Sequence, residues 1–285
     1  MWAQPQSVDT LNLRRYQQYR LWLREGFVSV GLSQGESLPM MGRNRSLPCD
    51  AHWILQLNKC PLHEGRGLIY WADGTAVLGQ YTAMLVLEIV NARRAAPQWS
   101  ASRMDSSVYE LYCALRAFER LDAAAGEPTD GFFMRDDVPV DFYYRADRQP
   151  DRRFLESDGK RGYECIASSY TCRPPNATAR DGGYMSQDQL IMLLLGWCMV
   201  VELLPDVTYK GERLADLARL YADRAVHYCV VNGWRLRDKM GRRIPDKWGG
   251  NMSAFSYHIA LAAERICGQQ YRATYQTGQS RSVGR

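Results

Sequence analysis

Apolar residues recur at intervals of three and four over six segments of the chain, which is the spacing of helices that bury one face. The pattern predicts helices at 8–25, 76–94, 106–125, 186–204, 211–231 and 253–266. No run of alternating strand and helix patterns supports a parallel sheet. The sequence therefore predicts an all-α protein built from paired helical hairpins.

Local signals support two of these helices in particular. Ser186 and Gln189 have the spacing of a capping box, in which the serine caps the N3 amide and the glutamine reaches back. The helix at 186–204 is apolar almost all round, which predicts that it is buried. In the helix at 76–94, the small residues Gly79 and Ala83 predict that another helix approaches closely.

A polar segment at 127–184 separates the two halves of the helical pattern. A structureless loop of this length is uncommon inside a compact domain. Its many aromatic residues favour an ordered loop that packs over one end of the helices. We predict a single domain over 1–285, with 127–184 as a long loop insertion and 269–285 as a flexible tail.

Composition narrows the class of protein. The chain has 285 residues, of which 46% are hydrophobic and 24% charged, as in an ordinary globular protein. Its net charge of +5 is spread along the chain, whereas nucleic-acid binders concentrate their positive charge on one face. No nucleic-acid partner is therefore predicted. The apolar run 190–204 is too short to span a bilayer, so no membrane partner is predicted either. No signal peptide is visible at 1–20. Export is nevertheless not excluded, and the native compartment stays open.

The eight cysteines fall into two groups. Four lie in helical patterns and are predicted to be small buried hydrophobes: Cys113, Cys198, Cys229 and Cys267. The others lie in loops and form two candidate disulfide pairs for an oxidising compartment: Cys165 with Cys172, and Cys49 with Cys60.

Five segments together carry a resemblance to known proteins: 78–81 (LGQY), 110–115 (ELYCAL), 120–122 (RLD), 131–139 (GFFMRDDVP) and 185–189 (MSQDQ). They resemble segments of bacterial proteins that carry no established activity. In general layout they are similar to α/α-toroid proteins, where inner and outer helices alternate around a ring and long loops at one end form a cleft. Many such proteins are glycoside hydrolases or polysaccharide lyases, so the resemblance, over about 75–204, implies activity on glycans. Six helices are too few for a full ring, so either the ring is partial or further helices lie in 27–72 and 127–184.

The sharpest candidate for chemistry is the run Arg135-Asp136-Asp137. Two carboxylates can divide acid and base roles where their surroundings separate their pKa values. Glycoside hydrolysis uses two carboxylates that flank the scissile bond. Asp188 joins them if the loop folds back onto the helix start, so we predict Asp136, Asp137 and Asp188 as catalytic. Arg135 is predicted to orient a carboxylate or an acidic sugar.

Aromatic residues around this run are predicted to stack on sugar rings and, with Arg135, to bind the substrate: Phe133, Tyr143, Tyr184 and Trp197. A structural interpretation stands beside the catalytic one, since Asp136 or Asp137 can cap a turn and Asp188 can serve the helix dipole alone. No cofactor is predicted, although Asp136, Asp137 and Asp141 have a spacing that can hold Ca²⁺ or Mg²⁺.

Two hypotheses follow from the sequence. The first is a glycoside hydrolase or polysaccharide lyase with a carbohydrate substrate. The alternative is a non-catalytic helical binding or assembly protein, which the lack of a serine nucleophile motif, a Walker loop or a dinucleotide-binding glycine pattern favours.

Overall fold

The computed structural model describes residues 5–39, 68–70, 73–94, 101–126, 129–137, 143–144, 163–166, 185–237, 241–246 and 249–268. Six α-helices dominate this part of the chain: α1 (Pro5–Gly26), α2 (Gly74–Arg94), α3 (Ala101–Ala125), α4 (Gln187–Leu203), α5 (Leu214–Val231) and α6 (Ser256–Cys267). A 3-10 turn, Ser253–Phe255, leads into α6. The prediction of an all-α protein is confirmed in its general form.

Short strands lie between the helices in two places. β1 (Leu68–Tyr70), β2 (Tyr143–Tyr144) and β3 (Tyr163–Ile166) form a sheet in the order β1-β3-β2, with β1 parallel and β2 antiparallel to β3. β4 (Thr208–Tyr209) and β5 (Glu212–Arg213) form a hairpin.

The hairpin before α5 corrects the predicted start of that helix at Gly211. Lys210 has a φ of 50° and Gly211 a φ of 82°, and positive φ at both central residues is the geometry of a tight two-residue hairpin turn. A helix cannot pass through two left-handed residues, so α5 begins after the hairpin, at Leu214.

Helices α2 and α4 run parallel and lie in direct backbone contact. A Cβ added to Gly79 would lie 2.1 Å from the carbonyl oxygen of Met192. A Cβ added to Gly196 would lie 2.5 Å from the carbonyl oxygen of Gly79. At the far ends of the two helices, Arg93 pairs with Asp206 at 3.1 Å. The close approach predicted at Gly79 is therefore confirmed, and its partner is α4.

Helix α6 also packs on α4 and runs parallel to it. Gly249, which precedes α6, lies against Ser186, which precedes α4, because a Cβ on this glycine would be 2.9 Å from the serine Cβ. Towards the other ends, Arg265 of α6 pairs with Glu202 of α4 at 2.6 Å. Helices α2, α4 and α6 thus begin at the same end of the molecule.

Helices α3 and α5 run in the opposite direction and finish where the other three begin. The backbone N–H of Met134 donates to the carbonyl of Leu121, near the end of α3, at 3.1 Å. Gly131 lies against Ala225 in the second half of α5. Helix α3 packs on α2 and α5, and α5 packs on α4 and α6. From α2 to α6, successive described helices therefore alternate in direction.

The centre of the core is aromatic and lies between α3, α4 and α5. The ring of Phe118 contacts three others, with centroid distances of 4.7 Å to Trp197, 5.3 Å to Tyr221 and 5.4 Å to Phe133. All four side chains are buried. Edge-on aromatic pairs contribute about 0.5–1.5 kcal/mol beyond their buried area. The prediction that α4 is a buried helix is confirmed for the face that carries Trp197, whereas Leu195 on another face is 51% exposed.

Helix α2 is the one described helix whose length and composition would allow it to cross a membrane. Buried helices of soluble proteins meet the same criterion, and 44% of its apolar window is buried inside the protein. Its contacts with α3 and α4 account for that burial. The absence of a membrane partner stays a prediction.

The four helical cysteines are free thiols. Cys113 and Cys229 are buried, as predicted, whereas Cys198 and Cys267 are half-buried. The candidate disulfide pairs fall on Cys49, Cys60, Cys172 and the side chain of Cys165, which lie outside the described residues, as does the tail at 269–285.

Candidate functional site

The segment 129–137, called the site loop from here on, folds back onto the start of α4. The backbone N–H of Met185 donates to the carbonyl of Phe133 at 3.0 Å. Gly131 has a φ of 91°, and a Cβ at this position would lie 2.5 Å from the Cα of Ala225. A glycine is required there, because both the backbone angle and the space exclude a side chain. The site loop is therefore fixed between α3, α4 and α5.

Asp136 and Asp137 are buried in the site loop, with exposed fractions of 0% and 5%. The Oδ2 of Asp137 accepts from the Nε of Arg120 at 2.5 Å, and its Oδ1 accepts from the backbone N–H of Gly35 at 2.7 Å. Arg120 also donates to the carbonyl of Glu36. Asp137 thus joins the site loop to α3 and to the turn at 31–37.

This burial favours the structural interpretation of Asp136 and Asp137 over the predicted catalytic one. A general acid or base must lie within hydrogen-bond reach of the substrate, and neither carboxylate meets solvent in this arrangement. Asp137 is instead a buried ion-pair partner of Arg120, whose role is to position the loop.

Asp188 lies exposed in the first turn of α4. Ser186 occupies the N-cap position with an extended backbone, but its hydroxyl donates to the carboxylate of Asp188. The capping box predicted for Ser186 and Gln189 is therefore wrong, since the serine makes no side-chain cap bond. Asp188 therefore lies at the positive end of the helix dipole.

Arg135 and Asp73 meet at the start of α2. The Nη1 of Arg135 lies 3.4 Å from the Oδ1 of Asp73, and the hydroxyl of Thr75 donates to the carbonyl of Arg135 at 3.3 Å. The side chain of Asp73 is 54% exposed. In the sequence Asp73 carries the signal of a helix start, and its position beside the site loop depends on tertiary packing.

The predicted sugar-stacking residues divide into two groups. Phe133 and Trp197 are 0% and 1% exposed and pack on Phe118, so that no ring face is left for a sugar. Tyr143 lies in β2, but its side chain and the whole of Tyr184 fall outside the described residues.

The candidate Ca²⁺ or Mg²⁺ site can be traced only in part, because Asp141 also falls outside the described residues. Within the described ranges, no group of three or more His, Cys, Asp or Glu side chains is arranged to hold a metal ion. The proposed cation therefore stays a prediction that rests on the D-D-x-x-x-D spacing.

A second polar cluster, called the Arg20 cluster, lies where α1 packs against α2 and α3. The Nε of Arg20 donates to Glu88 at 2.7 Å and its Nη2 to Glu110, whose side chain is 1% exposed. Tyr16 donates to Glu88, and Tyr81 donates to Glu110 at 2.7 Å. Burial, assisted by the charge of Glu110, raises the pKa of Tyr81 well above its usual value. In the sequence, this cluster was indicated only by acidic residues on otherwise apolar helix faces.

A buried carboxylate, Asp122, anchors the start of the site loop. Its Oδ1 accepts from the backbone N–H of Gly131 at 3.0 Å, and its Oδ2 lies 3.5 Å from the Nη1 of Arg224. Burial raises the pKa of Asp122 to about 6, although both of these partners act to lower it.

Asp122→Asn is expected to flatten the dependence of stability on pH between about 4 and 6. A carboxyl whose pKa is higher in the folded than in the unfolded state makes the protein less stable as pH rises through this window, by about 3 kcal/mol in total for Asp122. Urea unfolding of wild type and variant at several pH values measures the difference. Asp105→Asn, at an exposed site on the same helix, is the control and should keep the wild-type profile. Parallel profiles of stability against pH for wild type and Asp122→Asn would contradict a raised pKa for Asp122.

No family model, curated protein or solved structure matches this chain. The resemblance to α/α-toroid proteins therefore stays a prediction.

Proposed function

We propose that the protein acts on glycans, as a glycoside hydrolase or polysaccharide lyase, and that its helices form part of an α/α-toroid. In this proposal α2, α4 and α6 are inner helices, and α1, α3 and α5 are outer helices. The proposal is supported by the common start of α2, α4 and α6 at one end, called the acidic end, where α3 and α5 finish. The site loop lies at this end, as the cleft loops of a toroid do.

The observation that carries the proposal is a pair of exposed carboxylates at the starts of two touching helices. Asp73 immediately precedes α2, and Asp188 lies in the first turn of α4. Packed helices lie roughly 8–10 Å apart, and the contact between Gly79 and Met192 keeps these two close. The carboxylates of glycosidases stand about 5–5.5 Å apart in retaining and about 6.5–9.5 Å apart in inverting enzymes. We assign Asp73 and Asp188 as the acid/base pair.

Arg135 is the substrate-orienting residue of this proposal. Its guanidinium pairs with Asp73 at 3.4 Å and keeps 16% of its side-chain surface exposed. A guanidinium offers parallel N–H groups to a carboxylate, so a uronic acid unit of an acidic glycan is the favoured substrate. Asp137 and Arg120 hold the site loop in place beneath it.

Asp188→Asn and Asp73→Asn are each expected to lower glycan turnover by at least about 100-fold, since each removes one partner of the acid/base pair. The measurement is product formation from a panel of neutral and acidic polysaccharides, with detection of new reducing ends for hydrolysis and of unsaturated ends for elimination. Loss of stability should stay small, because both side chains are largely exposed.

Asp206→Asn is the matched control, since Asp206 is an exposed aspartate at the opposite ends of the same two helices. This variant should turn over the substrate at the wild-type rate. Full activity in both Asp73→Asn and Asp188→Asn, or a wild-type protein that neither cleaves nor binds any glycan of the panel, would refute the proposal.

A non-catalytic binding or assembly protein is the second candidate, and one observation favours it. The most acidic motif of the chain is used structurally, because Asp137 is fully occupied by Arg120 and Gly35. A glycan that binds at the acidic end without being cleaved, and whose affinity falls in Arg135→Gln, would support this candidate over the enzyme.

A further inference from the structure

Most of the net charge of the chain comes from one short stretch, 235–247. This stretch contains six basic and two acidic residues, which give a net charge of +4 out of +5 for the whole chain. Basic residues occur along the entire sequence, but the other 30 are balanced by 29 acidic residues. A local excess of positive charge raises the concentration of anions beside it, so the stretch favours a polyanionic ligand.

The stretch belongs to the connection between α5 and α6, residues 232–252, called the basic loop from here on. The backbone N–H of Ile244 donates to the carbonyl of Leu236 at 2.9 Å, and both side chains are buried. Successive side chains of an extended strand point to opposite faces, so Arg235 and Arg237 lie on the face opposite Leu236. The basic loop is thus fixed by an apolar anchor and presents its arginines towards solvent.

Asp246 is the one acidic residue in the described part of the basic loop, and two arginines share it. Its Oδ1 lies 3.4 Å from Arg235 and 2.6 Å from Arg243. Arg237 is the direct backbone partner of Arg243, and its Nη1 donates to the carbonyl of Gly241 at 3.1 Å. Like charges placed directly opposite each other lower the stability of a strand pair. An anion bound between Arg237 and Arg243 would relieve this repulsion.

The basic loop lies at the acidic end, beside the start of α4. The backbone N–H of Gly249 donates to the carbonyl of Asp246 at 3.0 Å, which closes a turn. A Cβ on Gly249 would lie 2.9 Å from the Cβ of Ser186 and 3.4 Å from the backbone nitrogen of Gln187. Ser186 in turn donates its hydroxyl to the carboxylate of Asp188. The turn after Asp246 therefore packs on the helix start that carries one of the two proposed acid/base groups.

We propose that the basic loop is a subsite for an acidic polysaccharide, and that Arg235, Arg237 and Arg243 bind the carboxylates of its uronic acid units. A guanidinium offers parallel N–H groups that fit a carboxylate. A polyuronate carries one carboxylate on every sugar, so units beyond the one bound by Arg135 pair with the basic loop. The choice of a glycan as the polyanion rests on the proposed function, whereas the preference for a polyanion rests on the charges of the loop.

Affinity electrophoresis of the full chain with polygalacturonate, neutral amylose and polyuridylate, at several salt concentrations, tests the proposal. Polygalacturonate is expected to bind saturably and at least about tenfold more tightly than amylose, with an affinity that falls as salt rises. The double variant Arg235→Gln, Arg243→Gln should lower the affinity for polygalacturonate at least about tenfold, because it loses two charge-assisted donors.

The two side chains are 37% and 49% exposed, so the melting temperature of this glutamine double variant should stay close to that of wild type. The double variant Arg235→Lys, Arg243→Lys keeps both charges and should bind polygalacturonate within about threefold of wild type. A loss of affinity in the glutamine variant that lysine prevents is therefore a loss of charge and not of structure.

Arg213→Gln with Arg219→Gln is the matched control, because these exposed arginines share Asp216 at the other end of α5. It removes the same charge from the same kind of pairing and should change the affinity for polygalacturonate by less than about twofold. Equal losses of affinity in the two glutamine double variants would overturn the proposal, since net charge alone would then explain the binding.

Equal affinity for polygalacturonate and amylose would also overturn the proposal, and tighter binding of polyuridylate would assign the basic loop to nucleic acid instead. The proposed function fails separately from this inference. Binding of polygalacturonate that depends on the basic loop, in a protein that cleaves no glycan, would refute the proposed function alone. Turnover of polygalacturonate with a KM that the variant Arg235→Gln, Arg243→Gln leaves unchanged would refute the subsite alone.

Discussion

Replacing Arg20 with methionine is expected to destabilise the protein by about 3 kcal/mol, because it leaves the buried carboxylate of Glu110 with Arg24, half-exposed and 3.5 Å away, as its remaining described cation. Arg20 bonds Glu110 through Nη2 and Glu88 through Nε, and the side chain of Glu110 is 1% exposed. Methionine preserves most of the apolar stem of arginine, so the loss is electrostatic and not a packing defect. Urea unfolding followed by circular dichroism measures the free energy of unfolding.

Arg15→Met provides the control on the same helix, where the side chain is exposed, and should change stability by less than about 0.5 kcal/mol. Adding Glu110→Gln to Arg20→Met should recover part of the loss, with a coupling of about 1 kcal/mol or more, since a neutral amide needs no buried counter-charge. A loss of less than about 1 kcal/mol in Arg20→Met would show that α1 does not depend on this cluster.

The helices were predictable because the burial of one helix face imposes its period directly on the sequence. Trp197 and Phe118 lie on predicted apolar stripes, and both are buried at the centre of the core. The hairpin before α5 was missed because its residues are polar and continuous with the helix pattern. The dipeptide Lys210-Gly211 was its signal, since glycine in a tight turn accepts positive φ without strain.

The contact between the site loop and the start of α4 was predictable, but the burial of the loop's carboxylates was not. The run of Asp136 and Asp137 does lie on the loop that meets the start of α4, as expected. Its burial follows from contacts that a local pattern cannot contain, because Asp137 bonds Gly35 across 102 residues of sequence. Likewise, Glu110 is paired with Arg20 across 90 residues, so neither residue stood out as part of a cluster.

Both long-range contacts start from the same N-terminal segment, residues 5–39. Gly35 and Glu36 hold Asp137 and Arg120 at the acidic end, and Arg20 joins Glu88 and Glu110 midway along α2 and α3. These polar contacts are largely buried, and a buried donor or acceptor that loses its partner lowers the stability of the protein. The N-terminal segment is thus an integral part of the fold, although many side chains of its helix α1 are exposed, among them Leu21 and Trp22.

Gly79→Val is expected to destabilise the protein by about 3 kcal/mol or more, since overpacking at a rigid contact forces the backbones apart. A Cβ at this position would lie 2.1 Å from the carbonyl oxygen of Met192 and 2.7 Å from the backbone nitrogen of Leu193. Both are backbone atoms of α4, which cannot move aside as the end of a flexible side chain can. Thermal and urea unfolding measure the effect.

Gln80→Ala tests whether the loss of stability is specific to the contact between α2 and α4 at Gly79, because Gln80 is the exposed neighbour of Gly79 on the same helix. It should change stability by less than about 0.5 kcal/mol. If α2 and α4 are displaced in Gly79→Val, Asp73 and Asp188 move apart as well, so any glycan turnover that the proposed function predicts should also fall in the folded fraction. A stable Gly79→Val would mean that the two helices do not cross at this glycine, and the assignment of Asp73 and Asp188 as a pair would lose its geometric basis.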